Sequence, residues 1–401
     1  VRTFMAQNVV ESFADVTALQ NVDVSSTRSH SGLSAKATAP LSVMHIIKHC
    51  NYANGSVHVA VDLACEQAKR GGAITFVSSG GTFEPLLAQH GVEHIRLQHE
   101  QSRPASVLNA AYKLNRLVRK KRPDILHAHM MLSALIGYTA SRLNGVPLVT
   151  TVHNSFDRHS VIMRLGDRVI AVSDAERRQL IGRGYKRDRV VAVMNAPNQS
   201  PREQFVVPQE PVSLTSPCIL AANGLHARKG VSDVIVACQE LFAEIPDWKL
   251  YIAGEGPDRE ILERQVQEAG LADRIHFLGF RHAPLPLMQQ ADIFVLASYA
   301  DPCSLAVGEA RSAGCAIVAT AVGGTPQMLD HGVAGRLVTP GRPQELAAEM
   351  RKLMLEDGTR QSLQQAARNG AEIFNVARLV RDYDEVYRDV VRNRSIASAN
   401  A

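Results

Sequence analysis

No apolar run approaches the roughly 18 residues that a membrane-spanning helix needs; the longest candidate, Met130–Ala140, is broken by Ser133, Gly137 and Thr139. This argues against an integral membrane protein. Aromatic residues are scarce, 5 % with a single Trp, and they do not alternate with the basic residues. With no nucleic-acid-binding module in view, a nucleic-acid partner is not expected. Cysteine is sparse too. Cys50, Cys65, Cys218, Cys238, Cys303 and Cys315 stand far apart without a C-x-x-C pair, so they read as reduced thiols of a cytosolic protein, not as a zinc or disulfide framework. Two phosphate-binding fingerprints are missing. There is no G-x-x-x-x-G-K-[ST], and after Gly254 and Gly256 the third glycine of G-x-G-x-x-G is replaced by Arg259.

What is present is a globular composition, 45 % apolar and 21 % charged, in 401 residues. That length suits two domains of roughly 150–200 residues each. Residues 1–40 are polar and aperiodic and read as a disordered leader. From there, short β-branched runs alternate with amphipathic stretches. Strand candidates run from Val43–Ile47 to Arg189–Met194, with helices at Val57–Arg70, Ala105–Lys121 and Ala175–Arg183. Near-continuous apolar strands separated by helices indicate parallel sheet covered on both faces. The Pro-rich stretch after Met194 interrupts the rhythm, and it restarts at Cys218–Ala222. Helices follow near Val231–Ala243, Asp258–Ala269, Leu305–Ser312 and Pro343–Met354, and the tail Gln361–Arg392 reads as helical throughout. The expected organisation is α/β. A first doubly wound, Rossmann-like domain spans 41–195, a linker 196–216 and a second such domain 217–375. A last helix, 376–401, crosses back to the first domain.

The net charge of +5 is unevenly spread. Leu41–Thr215 holds 22 Lys/Arg against 13 Asp/Glu, and Ser216–Ala401 holds 19 against 23. A basic half suggests that one domain faces something anionic. Arg103 to Arg122 carries seven basic residues and no acid. Val107, Leu108, Ala111, Leu114, Leu117 and Val118 form a helical apolar stripe within it. An ordinary core-facing helix with a solvated basic back is the simpler reading; a surface resting on anionic lipid is the sharper one.

Three strand-to-helix turns could carry chemistry. Ala253-Gly254-Glu255-Gly256-Pro257 is by itself a helix-entry turn. In Asp301-Pro-Cys-Ser-Leu-Ala-Val-Gly-Glu309, the backbone N–H groups of Ser304, Leu305 and Ala306 would be unpaired at a helix start, a ready anion site. Asp301 before that turn and Glu309 inside the helix suit sugar hydroxyls better than phosphate. In Asn223-Gly-Leu-His-Ala-Arg-Lys-Gly230, Arg228 and Lys229 could meet a diphosphate.

Over residues 42–395 the chain resembles the retaining glycosyltransferases of family 4, which have the GT-B fold. The match is carried by "RPDILHAH" (122–129), "GVPLVTTVHN" (145–154), "DRVIAVSDAERRQLI" (167–181), "GLHARKG" (224–230), "YIAGEGPDREIL" (251–262), "IHFLGF" (275–280), "ADIFVLAS" (291–298) and "DPCSLAVGEARSAGCAIVATAVGG" (301–324). The resemblance implies two domains facing a cleft, and transfer of a sugar from a UDP- or GDP-sugar to a glycan or lipid-linked acceptor with retention of configuration. Cell-surface polysaccharide or lipopolysaccharide assembly, on the cytoplasmic side and peripherally on the plasma membrane, is the implied setting. Lys229 would touch the distal phosphate, with Arg228 beside it. Glu309, second acid of the E-x7-E motif, would hold the ribose, and Asp301, the first acid, the donor sugar. The turn with Ser304, Leu305 and Ala306 would receive the diphosphate, Gly254 and Gly256 would flank the donor, and the backbone near Phe280 would hold the base. His129 would lie at the sugar carbon under attack, with His127 and His153 as weaker candidates. The loop of Asn54 and Gly55 would close under the phosphates and acceptor. Neither a cofactor nor a metal is expected, because a helix end and Lys229 meet the leaving charge. Two departures stand out: Asp301 replaces the usual Glu, and Gly224 stands where many relatives have an Arg. An epimerase or phosphorylase on the same fold, or a weakly active nucleotide-sugar-binding subunit, are the alternatives.

Overall fold

The computed structural model describes residues 40–52, 54–98, 104–205 and 209–399. The expected leader lies outside them, apart from Pro40, as does Arg103 of the basic stretch. The first half builds β1 (Ser42–Ile46), α1 (Gly55–Lys69), β2 (Ala73–Ser78), α2 (Glu84–Gln89), β3 (Glu93–Arg96), α3 (Pro104–Lys121) and β4 (Ile125–His129). Then come α4 (Met131–Asn144), β5 (Leu148–Val152), β6 (Arg168–Ala171), α5 (Asp174–Gly182) and β7 (Val190–Ala192). The second half builds β8 (Cys218–Ala222), α6 (Val231–Glu244), β9 (Lys249–Ala253), α7 (Arg259–Glu268), β10 (Ile275–Gly279), α8 (Leu285–Met288) and β11 (Ile293–Leu296). It continues with α9 (Leu305–Ala313), β12 (Ala316–Thr320), α10 (Thr325–Met328), β13 (Arg336–Val338), α11 (Pro343–Leu355), α12 (Asp357–Arg368) and α13 (Val376–Ala399).

Each half folds around one parallel sheet. The orders are β3-β2-β1-β4-β5-β6-β7 and β10-β9-β8-β11-β12-β13, so both reverse direction beside their first strand. Crevices outside the carboxyl ends at such reversals are where doubly wound sheets bind ligands. The central strands are buried on both faces, β4, β5, β8 and β12 at every position, which explains why their residues are mostly apolar or β-branched.

The tail differs from the expected continuous helix. Gly370 adopts φ +74 after α12, and a 3-10 turn, Ala371–Phe374, separates α12 from α13. A left-handed residue ends a helix, and glycine takes it without steric cost. The break redirects α13. Its Leu379, Val380, Tyr383 and Tyr387 are buried in the core of the first sheet beside Val57, Val61 and Val149. The Pro-rich stretch also differs from a plain linker. Ser200 caps a 3-10 turn, Pro201–Gln204, in a reciprocal capping box with Glu203. Its Arg202 pairs with Asp62 of α1 at 2.8 and 2.9 Å, and Ser200 Oγ donates to the same carboxylate at 2.6 Å. The outgoing and returning crossings are bonded to each other: Asn198 N–H donates to Phe374 O and Val376 N–H to Asn198 O, both at 2.9 Å.

The apolar stripe of α3 is narrower than its sequence indicates. Ala110, Leu114 and Val118 are buried, but Leu108 is 72 % exposed and Tyr112 61 %.

Candidate active site

A cavity of about 500 Å3 lies between the two sheets' carboxyl ends. From the first half it is lined by Asn54, Gly55, His58, Met130, His153 and Asn154, and from the second by the turns after β8, β9, β10 and β11. The local reasons are visible. Asn54 caps α1, its side-chain oxygen accepting from Ser56 N–H at 3.0 Å and Ser56 Oγ at 2.7 Å. A Cβ on Gly55 would stand 3.5 Å from Leu305 Cδ1, so this loop faces the start of α9. Gly230, at φ +64, closes the Lys229 turn where a Cβ would stand 1.9 Å from Ala297 O; only glycine fits. Met130 holds φ +76 between β4 and α4, a strained backbone for a side-chain-bearing residue in the cavity wall.

The expected donor residues converge. Asp301, Ser304, Leu305, Ala306, Glu309, Arg228, Lys229, Gly254 and Phe280 all line the cavity, with Asn54 and Gly55 opposite. Gly256 is not among the lining residues; a Cβ there would meet Leu225 backbone atoms at 2.2–2.8 Å, so it packs one turn against the next. Ser304 is the N-cap of α9 and makes no side-chain capping bond, so first-turn N–H groups remain open to an anion. Lys229 Nζ donates to Asp301 Oδ2 at 2.5 Å, a pair buried to 13 % and 6 % side-chain exposure. Arg228 sits 5.8 Å over the ring of Phe156, an exposed residue of the first half. Glu309, partly buried in the second turn of α9, lines the cavity. Burial pushes its carboxyl up to about 7, against the pull of Arg202 and with the push of Asp62 and Glu203.

A Cβ at Gly224 would stand 3.1 Å from the imidazole of His226, an exposed side chain that also lines the cavity.

His129 is fully buried and is not among the lining residues; His153 stands between it and the cavity. Residues 127 and 129, two apart in β4, project from one face of the sheet, and strand register sets His45 of β1 opposite His127. Among the described residues, His45, His127 and His129 form a group with ligand atoms within 4.8 Å of one another, close enough for one metal ion. Every nitrogen of these rings already has a partner, however. His45 bonds His129 and Gln67, His127 bonds Thr151 and Tyr387, and His129 bonds His45 and His153. Burial lowers the pKa of His45 to about 4 and of His153 to about 3, and holds His127 and His129 well below the usual imidazole range. All four rings are therefore neutral near pH 7.

Sequence reasoning missed His45, His58, Arg202, Asn195 and Asn223. His58 Nε2 is buried without a hydrogen-bond partner among the described residues, and His58 lines the cavity beside Arg202. The one sequence signal for His45 was a polar residue inside an apolar strand.

The family models match in tandem: "Glycosyltransferase Family 4" over residues 53–198 and "Glycosyl transferases group 1" over 204–370. The chain belongs to this glycosyltransferase family and has its GT-B fold. It is 25 % identical over 374 residues to N-acetyl-alpha-D-glucosaminyl L-malate synthase of Bacillus anthracis, covering 84 % of this chain and 95 % of that one. It is 24 % identical over 303 residues to a D-inositol 3-phosphate glycosyltransferase of Corynebacterium aurimucosum, covering 67 % and 72 %. Among solved structures it is similar to a glycosyltransferase of Rickettsia africae (TM-score 0.75, 20 % identity, 89 % of this chain and 100 % of that one). It is also similar to Anabaena HepE, solved with UDP and glucose (TM-score 0.73, 21 % identity, 87 % and 100 %).

Proposed function

We propose that this glycosyltransferase moves a sugar from a UDP- or GDP-sugar to a glycan or lipid-linked acceptor, with retention of anomeric configuration. The observation that carries the reading is the meeting, in one cavity, of the open N-terminus of α9, the Lys229–Asp301 pair and Glu309. Each part has a use. Departure of the diphosphate leaves negative charge, which Lys229 and the first-turn N–H groups of α9 stabilise in a partly enclosed site without a metal. Glu309 accepts from ribose hydroxyls, and Asp301 serves the donor sugar once the diphosphate draws Lys229 away. The acceptor enters from the Asn54–Gly55 side and attacks on the face that the diphosphate leaves. The Anabaena neighbour solved with UDP and glucose supports a nucleotide-sugar donor.

A cytoplasmic, peripheral place on an anionic membrane, in cell-surface polysaccharide or lipopolysaccharide assembly, is part of the same reading. Exposed Leu108 and Tyr112 continue along α3 into exposed Arg116, Arg119 and Lys120, an apolar-to-basic stripe suited to a lipid surface. No helix among the described residues is long and apolar enough to cross a membrane. The test is calorimetric titration with UDP, GDP and their sugars. Micromolar binding of one nucleotide sugar, lost in Lys229→Ala and Glu309→Ala, is the expected result; no binding to any of them would overturn the reading.

A further inference from the structure

A hydrogen-bonded chain runs behind the cavity wall, assembled from α13, α1, β1, β4 and the end of β5. Gln67 Nε2 donates to Asp384 Oδ1 at 3.0 Å, and Gln67 Oε1 meets His45 Nε2 at 2.9 Å. His45 Nδ1 meets His129 Nε2 at 3.2 Å, and His129 Nδ1 meets His153 Nε2 at 3.0 Å. The direction of the whole chain is set at one end. Burial raises the Asp384 carboxyl above its ordinary value, while the hydrogen bond from Gln67 and the charges of Arg388 and Arg70 pull it back toward the ionised form. An ionised carboxylate only accepts, so Gln67 turns its NH2 to Asp384 and its oxygen to His45. His45 then carries its proton on Nε2 and accepts at Nδ1 from His129 Nε2–H. His129 Nδ1 accepts in turn from His153 Nε2–H. Each step is forced because a neutral imidazole has one donor and one acceptor. The nitrogen left over is His153 Nδ1, with a lone pair and no hydrogen-bond partner among the described residues, in a side chain that lines the cavity.

We propose that Asp384, Gln67, His45 and His129 are positioning residues forming a tautomer lock, which holds His153 Nδ1 as a hydrogen-bond acceptor for a substrate hydroxyl in the cleft. That the hydroxyl belongs to a sugar rests on the glycosyl-transfer reading; the lock itself does not. The chain orients and does not conduct: the carboxamide of Gln67 has no proton to pass on while keeping its form, so a proton taken at His153 has no exit through it. His153 therefore holds the hydroxyl in place, and the acceptor's proton passes to the diphosphate oxygen freed as its bond to the sugar breaks.

The lock is read directly by labelling the full-length protein with 15N-histidine and recording long-range 1H–15N correlations of the rings, with His153 assigned by the signal lost in His153→Gln. His45, His129 and His153 are all expected as Nε2–H tautomers. A proton on His153 Nδ1, or a mixture in the wild type, overturns the proposal. Asp384→Asn removes the acceptor-only end, so the amide of Gln67 can face either way. Mixed tautomers at all three rings are expected, with kcat lowered to the fraction that keeps the Nε2–H form, roughly twofold for an even mixture, and the donor KM unchanged. Unchanged tautomers, or mixed tautomers with unchanged kcat, refute it. The double variant Asp384→Asn/Gln67→Glu reverses the polarity of one link only. The carboxylate then at position 67 accepts from the amide at 384 and from His45 Nε2–H. It is expected to restore the single tautomer and the turnover, a rescue that a merely structural role for Asp384 does not produce; failure to restore them counts against the lock. Because the tautomers are read without substrate, failure to find a sugar donor would leave this result intact.

Discussion

Glu309→Gln separates what the carboxyl does for the fold from what it does for the ligand. In the folded protein burial moves this carboxyl from 4.5 to about 7. The unfolded chain releases the proton near 4.5, so the folded state holds the extra proton between those values. Stability contributed by the protonated form is fully present below about pH 4.5 and is lost as pH rises through 7. At ~1.4 kcal/mol per pH unit, the loss amounts to roughly 3 kcal/mol by pH 8. The neutral amide has the same shape and never ionises. Thermal unfolding of both proteins between pH 5 and pH 8 is therefore expected to show wild type losing several degrees relative to Glu309→Gln as pH rises. Nucleotide binding should change in the opposite sense, because ribose hydroxyls lose a charge-assisted partner worth about 1.5–3 kcal/mol. Parallel stability profiles for the two proteins would refute the account of burial. Unchanged nucleotide affinity would refute the ribose assignment.

Asp301→Glu restores the longer acid and should give equal or higher turnover, since the added methylene lets one carboxylate meet both Lys229 and the sugar; complete loss in a donor-transfer assay would mean a pocket built for the shorter side chain. Activity should persist in excess chelator, and abolition with rescue by magnesium or manganese would contradict the metal-free reading. The protein should sediment with vesicles of anionic lipid, less so as salt rises, each Lys or Arg contributing on the order of 1 kcal/mol within a Debye length of about 8 Å. Replacing Arg119, Lys120, Lys121 and Arg122 by Gln should release it while nucleotide binding stays intact; identical sedimentation would make α3 an ordinary solvated helix.

The strands were legible because strands buried on both faces are rich in β-branched and apolar residues, as in β5 (LVTTV) and β8 (CILAA). Boundaries set by three-dimensional context were not. Met131–Asn144 is a helix whose buried face is made largely of small and polar residues, Ser133, Ala134, Gly137, Ala140 and Ser141, so hydrophobicity alone does not mark it. The break at Gly370 needs only one left-handed residue, which a helical pattern on both sides conceals. In the site, Asp301, Ser304 and Lys229 were readable because each lies in a local strand-to-helix turn, and Glu309 because it follows the same turn at fixed spacing inside α9. His45, Gln67 and Arg202 were not, because their roles depend on partners far away in the chain: Arg202 meets Asp62 across 140 residues, and Gln67 meets Asp384 across 317. The burial of His129 behind His153 follows from strand register, which no motif encodes.

The central claim, sugar transfer from a nucleotide diphosphate with retention, is tested most directly by determining the anomeric configuration of the product by NMR. The experiment uses the donor that the titrations identify, incubated with the full chain and a glycan or lipid-linked acceptor. The account predicts a product with the donor's own configuration, formed by wild type and lost in Lys229→Ala. An inverted product, or release of free sugar or sugar phosphate with no acceptor joined, would contradict it.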